Sequence, residues 1–507
     1  MNKRIKKEIE TGCEYSFPDY MGDIKKILSC RARCRDIGKL AADGALEVNG
    51  VVEYEVLYAD SENKLTAIST SSDYTVSAPI NEDTFRDCSV NGRVNNFSLR
   101  VTGPRKLSMR ASVENDITLT HSAVMPVLGD ALDGENLSET DTRVIKIEDY
   151  IYGEVLEREY AEEAERLPGL GGDDVEIIAA GGEVRITEAS ATDGGAELKG
   201  ELVLYAIVKI PNEPPFRISK VIPLSETVEV GGAEKEMHVI PKAEVTSVTF
   251  GLSDDGEDKV VVANAIVELS ANAVTNEEVE VVTDAYLIEK ETGGTYSDFC
   301  YETLSEIKRD SIELVTRVPM VGISLENIRG IISSAADVSD VSATAVGKSA
   351  KIDGKISLTL IACEINDDGS AGYIPIKHSF DFAENVNISS QISDDSVIRC
   401  TLSYPVVEAL IDGDEVEVKC SFSATLTIGC ESVVNKLDSL NVLSDVESKK
   451  AAYVSVYYPT PNDTLFSVAK RYHKTLASVA EANSLSDAVS ISDIKGSPLG
   501  VKKLFIV

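Results

Sequence analysis

Few of the side chains that usually carry catalysis are arranged in this sequence as catalysis requires. The four histidines, His121, His238, His378 and His473, are scattered along 507 residues. They form no HExxH motif and no His/Cys spacing typical of a metal site. The GxSxG motif of serine hydrolases is also missing from the sequence. We therefore expect no catalytic residues, no metal and no cofactor, and predict that the protein is not an enzyme.

Two kinds of segment resemble ligand sites but are better explained as strands and turns. Residues 346–350 match the end of a phosphate-binding loop, but the first glycine of that motif would fall at Ser342, and Lys348 enters a strand-like run. The acidic segments 253–258 and 366–370 lack the twelve-residue loop with a terminal Glu that a calcium site needs. Both are predicted to be hairpin turns. Carboxylate pairs occur throughout so acidic a chain and single out no active site.

The charge of the chain excludes several classes of partner. Acidic residues outnumber basic ones by 85 to 49, which gives a net charge of −36. Because phosphate backbones and anionic lipid surfaces carry the same sign, we expect no nucleic-acid binding and no direct membrane insertion. The basic N-terminus is followed by no apolar run, and the nine cysteines form no CxxC motif. These features predict a cytoplasmic protein with reduced thiols.

The body of the chain contains a long internal repeat. A proline and a downstream glycine recur three times, about 150 residues apart, which is too long for a solenoid unit and typical of tandem whole domains. The prolines are Pro18, Pro168 and Pro319, and the glycines are Gly50, Gly200 and Gly354. Hairpin signals separate further alternating runs downstream of each glycine.

Apolar residues alternate along the segment that follows each repeated glycine. Such alternation predicts a strand buried on one face, and the same parity in each copy predicts one register for the three copies. A glycine inside a strand indicates a bulge or a bend. The residues two, four, six and eight positions after the glycine are Val52, Tyr54, Val56 and Tyr58 in the first copy, Leu202, Leu204, Ala206 and Val208 in the second, and Ile356, Leu358, Leu360 and Ala362 in the third.

The predicted fold class is mainly β, with three tandem β-rich domains, sandwich- or barrel-like, and a small C-terminal βααβ domain. The predicted boundaries are 13–131, 163–286 and 312–446 for the repeats and 453–507 for the tail. The Glu-rich segment 147–167 fits either a helix or an extended arm, and the sequence leaves the two open.

The tail is the segment with the clearest pattern. A short polar linker, residues 444–453, precedes residues 454–485, which show a strand and two helices, and residues 500–507, which form a closing strand. Asp463 or Thr464 is placed to cap the first helix. This pattern resembles the LysM module, which binds polymers of N-acetylglucosamine or, in some settings, protein.

The LysM resemblance implies a shallow groove beside the two helices. Its walls would be Asp463, Thr464, Leu465 and Phe466 on one side and Asn483, Ser484 and Leu485 on the other. Backbone groups there would bind the acetamido groups, and Leu and Phe side chains would cover the sugar. The sequence departs from the family pattern at Asn462, in a longer loop at 486–500 and at Leu499-Gly500, which favours a protein ligand over a glycan. A basic cluster, Lys470, Arg471 and Lys474, is either a solvated face or a contact patch for an acidic partner.

Residues 16–34 and 43–59 resemble the SPOCS (spore coat assembly) domain. The resemblance implies a spore-coat morphogenetic adaptor in the mother-cell cytoplasm, at the forespore surface. It also implies contact with the coat-basement ATPase SpoIVA or with other coat proteins, with the LysM tail binding a coat partner. A second hypothesis is a LysM-mediated peptidoglycan-binding protein, and a third is a glycan hydrolase with an unrecognised carboxylate pair.

Overall fold

The computed structural model describes most of the chain, and it confirms the mainly β fold class, with two short helices near the C-terminus. No helix in this part of the chain is long and apolar enough to cross a membrane. The described residues are 2–122, 139–171, 174–320, 327–366, 369–390, 396–446, 454–460, 462–485 and 503–506.

The first repeat is a sandwich of two three-stranded antiparallel sheets. Its strands are β1 (Asn2–Ser16), β2 (Ile24–Ala42), β3 (Ala45–Asp60), β4 (Leu65–Pro79), β5 (Phe85–Gly103) and β6 (Lys106–His121). One sheet has the order β1-β6-β5 and the other β2-β3-β4. Apolar residues of both sheets form a single buried cluster between them.

The second repeat has the same three-stranded sheet and a second sheet of four strands. Its strands are β7 (Glu139–Tyr152), β8 (Leu156–Leu167), β9 (Glu176–Thr192), β10 (Gly195–Lys209), β11 (Phe216–Glu229), β12 (His238–Asp255) and β13 (Asp258–Tyr286). One sheet has the order β9-β10-β11, while β13 pairs with β12, β8 and β7. The Glu-rich segment therefore forms strand rather than helix, and β8 pairs antiparallel with β13.

The third repeat follows the same plan, with one strand divided in two. Its strands are β14 (Lys290–Pro319), β15 (Ile328–Val346), β16 (Ser349–Ile365), β17 (Ala371–Asn387), β18 (Ser396–Leu402), β19 (Val406–Asp412) and β20 (Glu415–Asp445). The sheet β15-β16-β17 faces one in which β20 pairs with β14, β18 and β19. The three repeats are thus sandwiches of separate sheets, which decides between the two architectures that the sequence left open.

The alternation predicted from the sequence is confirmed in every repeat. The twelve residues at even positions after the glycines are at most 2 % exposed. They point into the sandwich cores because successive side chains of a strand point to opposite faces. The pairing of β3, β10 and β16 with the preceding strand shifts register next to the glycine in all three copies. The predicted bulge is therefore present three times.

Two of these glycines make room for an aromatic ring on the neighbouring strand. Gly50 pairs with Tyr74, and Gly354 pairs with Phe382. A Cβ atom would lie 2.3 Å from the Tyr74 ring at the first position and 2.6 Å from the Phe382 ring at the second. Glycine is required there because the ring occupies the space of a side chain.

The chain divides into two compact units. The first consists of residues 1–122, 149–275 and 304–430, as far as they are described, and contains the cores of the three sandwiches. The second consists of 123–148, 276–303 and 431–507, again as far as described.

The tail belongs to the second unit and has the predicted βααβ order. Its elements are β21 (Ser455–Tyr457), α1 (Leu465–Arg471), α2 (Leu476–Ala482) and β22 (Leu504–Ile506). β21 and β22 pair antiparallel. Thr464 caps α1 by accepting a hydrogen bond from the Ser467 backbone N–H, and Thr475 caps α2 in the same way. Most of the predicted linker, from residue 447, and the predicted long loop at 486–500 lie outside the described residues.

Candidate functional site

The first unit has a charged centre on the outward faces of the strands β2, β9 and β15. The residue three positions after the repeated glycine pairs with a residue of the preceding strand. That partner is Arg33 in the first repeat, Glu183 in the second and Asp337 in the third. These three residues are therefore structurally equivalent. The sandwich cores repeat one chemistry three times, whereas this position carries one cation and two different carboxylates.

Glu183 holds the first and second repeats together. Its Oε1 accepts a hydrogen bond from Nη2 of Arg31 at 3.0 Å and another from Nη2 of Arg33. The Glu183 side chain is only 7 % exposed. Burial, followed by repulsion from Arg31, lowers the pKa of Arg33. Two largely buried guanidinium groups thus share one carboxylate oxygen, and Glu55, 3.8 Å from Arg31, supplies a further negative charge.

Aromatic rings extend this network into the third repeat. The Arg217 guanidinium lies over the Tyr205 ring at 4.6 Å and donates to the Ser334 hydroxyl. The Arg33 guanidinium lies over the Tyr404 ring at 4.9 Å. These contacts join side chains that are far apart in sequence, so the three sandwiches form one body around the charged centre.

An apolar seam accompanies the charged centre. The residue seven positions after the repeated glycine is Leu57, Ile207 or Ile361, and the three side chains belong to one buried cluster. They lie on the strand face opposite the sandwich cores, where alternation alone predicts exposure. The signal that would have revealed the seam is an apolar residue at this outward position in all three copies.

A cavity of about 670 Å³ lies against this network and is lined by all three repeats. Its polar lining includes Arg31, Arg33, Glu183, Tyr205, Arg309 and Tyr404. In the described part of the chain, no three His, Cys, Asp or Glu side chains are grouped as a metal site would need. The groups that the cavity lining offers to a ligand are guanidinium, carboxylate and phenol groups.

In the tail, Asp463 serves the turn that leads into α1. Its carboxylate accepts hydrogen bonds from the Tyr457 hydroxyl at 2.7 Å and from the Thr460 backbone N–H at 2.6 Å. These bonds, that from Tyr457 first, lower the pKa of Asp463. Arg471 lies 3.6 Å away and adds a favourable charge. The carboxylate is thus engaged inside the tail.

The predicted apolar wall of the groove is buried. Leu465 is 0 % exposed and Phe466 is 3 % exposed. Tyr286, from the end of β13, packs edge-on against Phe466 with ring centroids 5.2 Å apart and donates its hydroxyl hydrogen to the Lys474 carbonyl. Within the second unit, another part of the chain therefore completes the core of the tail, and neither side chain is free to cover a sugar.

The remaining groove residues have mixed surroundings. The Thr464 hydroxyl caps α1. The Asn483 side chain donates to the carbonyls of Val479 and Phe505 and accepts from the Phe505 N–H, which ties α2 to β22. Ser484 is exposed and Leu485 is half-buried. A ligand at this groove would meet backbone groups, Ser484 and Leu485, and the groove stays a prediction.

The predicted basic patch already has partners within the second unit. Lys470 Nζ lies 2.6 Å from both carboxylate oxygens of Asp284. The Arg471 guanidinium stacks over the Tyr457 ring at 5.2 Å. Lys474 contributes its backbone carbonyl to Tyr286. An acidic partner at this patch would therefore compete with Asp284.

Comparison with known families assigns the second repeat. A family model described as "SipL, SPOCS domain" matches residues 175–253. The second repeat therefore contains a SPOCS domain. The matched segment covers β9 to β11 and nearly all of β12, and it includes Glu183 and Tyr205 of the charged centre. The domain indicates a role related to sporulation and the spore coat. Searches of curated proteins and of solved structures each found no match.

Proposed function

We propose that the protein is a non-catalytic spore-coat adaptor that localises or anchors coat proteins around the forespore, in the mother-cell cytoplasm. The observation that carries this proposal is the SPOCS match in a repeat whose sheet order recurs in the two others. Three like sandwiches followed by a βααβ tail resemble the clostridial coat morphogenetic protein SipL. A repeated architecture suits binding, because several weak contacts on one chain add up to strong attachment.

The tail is the proposed binding element for a coat partner, for which we name the coat-basement ATPase SpoIVA. The ribbon formed by β21 and β22 buries Leu504 and Ile506 on one face. On its other face it exposes Val456 and Phe505, which are 47 % and 36 % exposed, and Tyr458, directly after β21, is 70 % exposed. Large apolar and aromatic side chains of this kind are those that contribute most to protein interfaces. They are the surface side chains of the tail best suited to test partner binding.

The test is binding of the full-length chain to purified SpoIVA. The double variant Tyr458→Ser, Phe505→Ser should weaken binding by about tenfold or more, since each aromatic residue at an interface centre typically contributes over 1 kcal/mol. Val221→Ser is the matched control, because Val221 is 51 % exposed on the second sandwich. Its binding should equal that of the parent chain. Equal binding by all three proteins, or no binding by the parent, would refute the proposed role of the tail.

Localisation provides a second, independent test of the adaptor role. A fluorescent fusion of the full-length chain should encircle the forespore in sporulating cells, and coat proteins should lose that position when the chain is absent. A diffuse fusion with normal coat placement would contradict the proposal. Release of labelled fragments from peptidoglycan by the purified chain would instead support the hydrolase hypothesis.

Peptidoglycan binding is the alternative function, and the βααβ order together with the accessible Ser484 favours it. Titration of the full-length chain with an N-acetylglucosamine tetramer should then release heat, and the bound sugar should perturb the amide signals of Ser484 and Leu485. A flat titration removes this alternative without affecting the adaptor proposal. If the sugar binds and displaces SpoIVA, both ligands use the same groove.

A further inference from the structure

We propose that the cavity at the charged centre binds a small molecule that carries an oxyanion, either a carboxylate or a phosphate. This inference goes beyond the adaptor role and does not depend on it. Its volume of about 670 Å³ lies within the range of roughly 300–1,000 Å³ found for small-molecule sites. The lining combines apolar residues of all three repeats with a small number of charged groups, as ligand sites usually do.

The cavity lining has a slight excess of positive charge, whereas the whole chain is strongly negative. Acids outnumber bases by 85 to 49 overall, but five cationic side chains face four carboxylates in the cavity wall. The cations are Arg31, Arg33, Arg35, Lys242 and Arg309, and the carboxylates are Glu53, Glu55, Glu183 and Glu244. An acidic protein that gathers guanidinium groups around an internal space can hold an anion there despite its net charge.

Arg309 is the cation whose surroundings point most directly to a ligand. Its Nη2 donates to the Val239 carbonyl at 3.0 Å, and its buried Nε has no hydrogen-bond partner among the described residues. Within that part of the chain no carboxylate pairs with it, and burial lowers its pKa. Arg309 is half-buried. A guanidinium removed in part from water and without a counter-charge is costly, and an oxyanion would supply both the charge and the missing acceptor.

Two further groups of the wall could contact the same ligand. The buried Nε of Arg31 also lacks a hydrogen-bond partner within the described residues. Tyr404 is 36 % exposed and lines the cavity, and among the described residues no hydrogen bond acts on its phenol. Its ring is already held by the Arg33 guanidinium. The phenol is therefore positioned to donate a hydrogen bond to an oxyanion.

The test uses the full-length chain with citrate as the carboxylate probe and pyrophosphate as the phosphate probe. Calorimetric titration should show saturable binding of at least one of them, and thermal unfolding should shift upward with its concentration. Sodium chloride at equal ionic strength should give neither effect, because it screens charges without occupying a specific site. The probe that binds more tightly identifies the chemical class.

Arg309→Gln should weaken binding of that probe by about tenfold or more, because a charge-assisted hydrogen bond is lost. Without ligand, this variant should unfold at the same or a higher temperature, since a half-buried cation without a counter-charge is removed. Arg166→Gln is the matched control, because Arg166 lies on the exposed strand β8 and pairs with Asp255 at 2.7 Å. Tyr404→Phe should weaken binding several-fold, because it removes the hydroxyl but keeps the ring. It serves as the second cavity variant in case Arg309→Gln does not fold.

Saturable binding that disappears in Arg309→Gln or weakens in Tyr404→Phe, and persists in Arg166→Gln, supports the proposal. It is overturned if neither citrate nor pyrophosphate binds the parent chain. It is equally overturned if both cavity variants bind the probes as tightly as the parent.

Discussion

The two faces of the sheets built around β3, β10 and β16 differ in how far their residues repeat from copy to copy. The inward face is apolar in all three copies and nearly inaccessible to solvent. Along the outward faces of the sheets, the equivalent residues are Arg33, Glu183 and Asp337. Because each core is packed separately, the same apolar residues can occupy it in all three copies. Three identical charges around one centre would instead repel one another. Repeats that meet must therefore diverge at the charged positions of their contact, although the apolar seam beside them is the same in all three.

The largest expected effect comes from the repeated face. Leu204→Ala should cost about 4 kcal/mol of unfolding free energy, because it leaves a cavity at a fully buried position in the second sandwich. Urea unfolding measures this loss. Val221→Ala on the adjacent strand is the control and should stay within about 0.5 kcal/mol, since that side chain is half exposed. Equal losses for the two variants would contradict the assignment of the buried face.

The next largest effect is expected in the apolar seam, at Ile207, three residues after Leu204 on the same strand. Ile207→Ala should cost about 3 kcal/mol, because the side chain is 2 % exposed although it points away from the sandwich core. If the three sandwiches did not meet, this outward residue would be solvated and the loss would be within about 0.5 kcal/mol. The same urea titration distinguishes the two results.

The bulge glycines give an intermediate effect. Gly50→Ala should cost about 2 kcal/mol, because the added methyl group meets the Tyr74 ring and forces it from its position. Gly38→Ala, in the neighbouring strand, is the matched control, since nothing lies within 4 Å of the added atom. The loss at Gly50 should shrink when Tyr74 is also changed to Leu. Additive losses in that double variant would show that the ring is not the cause.

The smallest effect is expected in the tail, and it depends on pH. The pKa of Asp463 is lowered in the folded chain, so its stabilising contribution is present above the unfolded value of about 4 and is lost as the pH falls through the lower folded value. Asp463→Asn should remove this loss of tail stability below about pH 4. Amide hydrogen exchange of residues 454–460 and 462–485 measures it. An unchanged pH response in the variant would contradict the assigned hydrogen bonds.

Much of the fold could be predicted from local pattern. The alternation after Gly50, Gly200 and Gly354, the bulges beside them and the helix cap at Thr464 all depend on residues close in sequence. Because period and capping act over a few residues, a single sequence is enough to reveal them.

The charged centre and the surroundings of the groove could not be predicted in this way. The contact between Arg33 and Glu183 joins two repeats and depends on how the sandwiches dock. Tyr286 completes the core of the tail from a strand almost two hundred residues earlier. For this reason Leu465 and Phe466, which the family pattern places at the ligand, are buried under another segment. Local periodicity carries no information on such distant partners.

The most direct test of the central claim, that the three repeats form one body around the charged centre, is a double-mutant cycle on Arg33→Met and Glu183→Gln. The full-length chain and its variants are unfolded in urea. A coupling of about 1–3 kcal/mol is predicted, because the two groups share a buried ion pair. Losses that add within about 0.5 kcal/mol would contradict it, since separate repeats would leave the two residues independent.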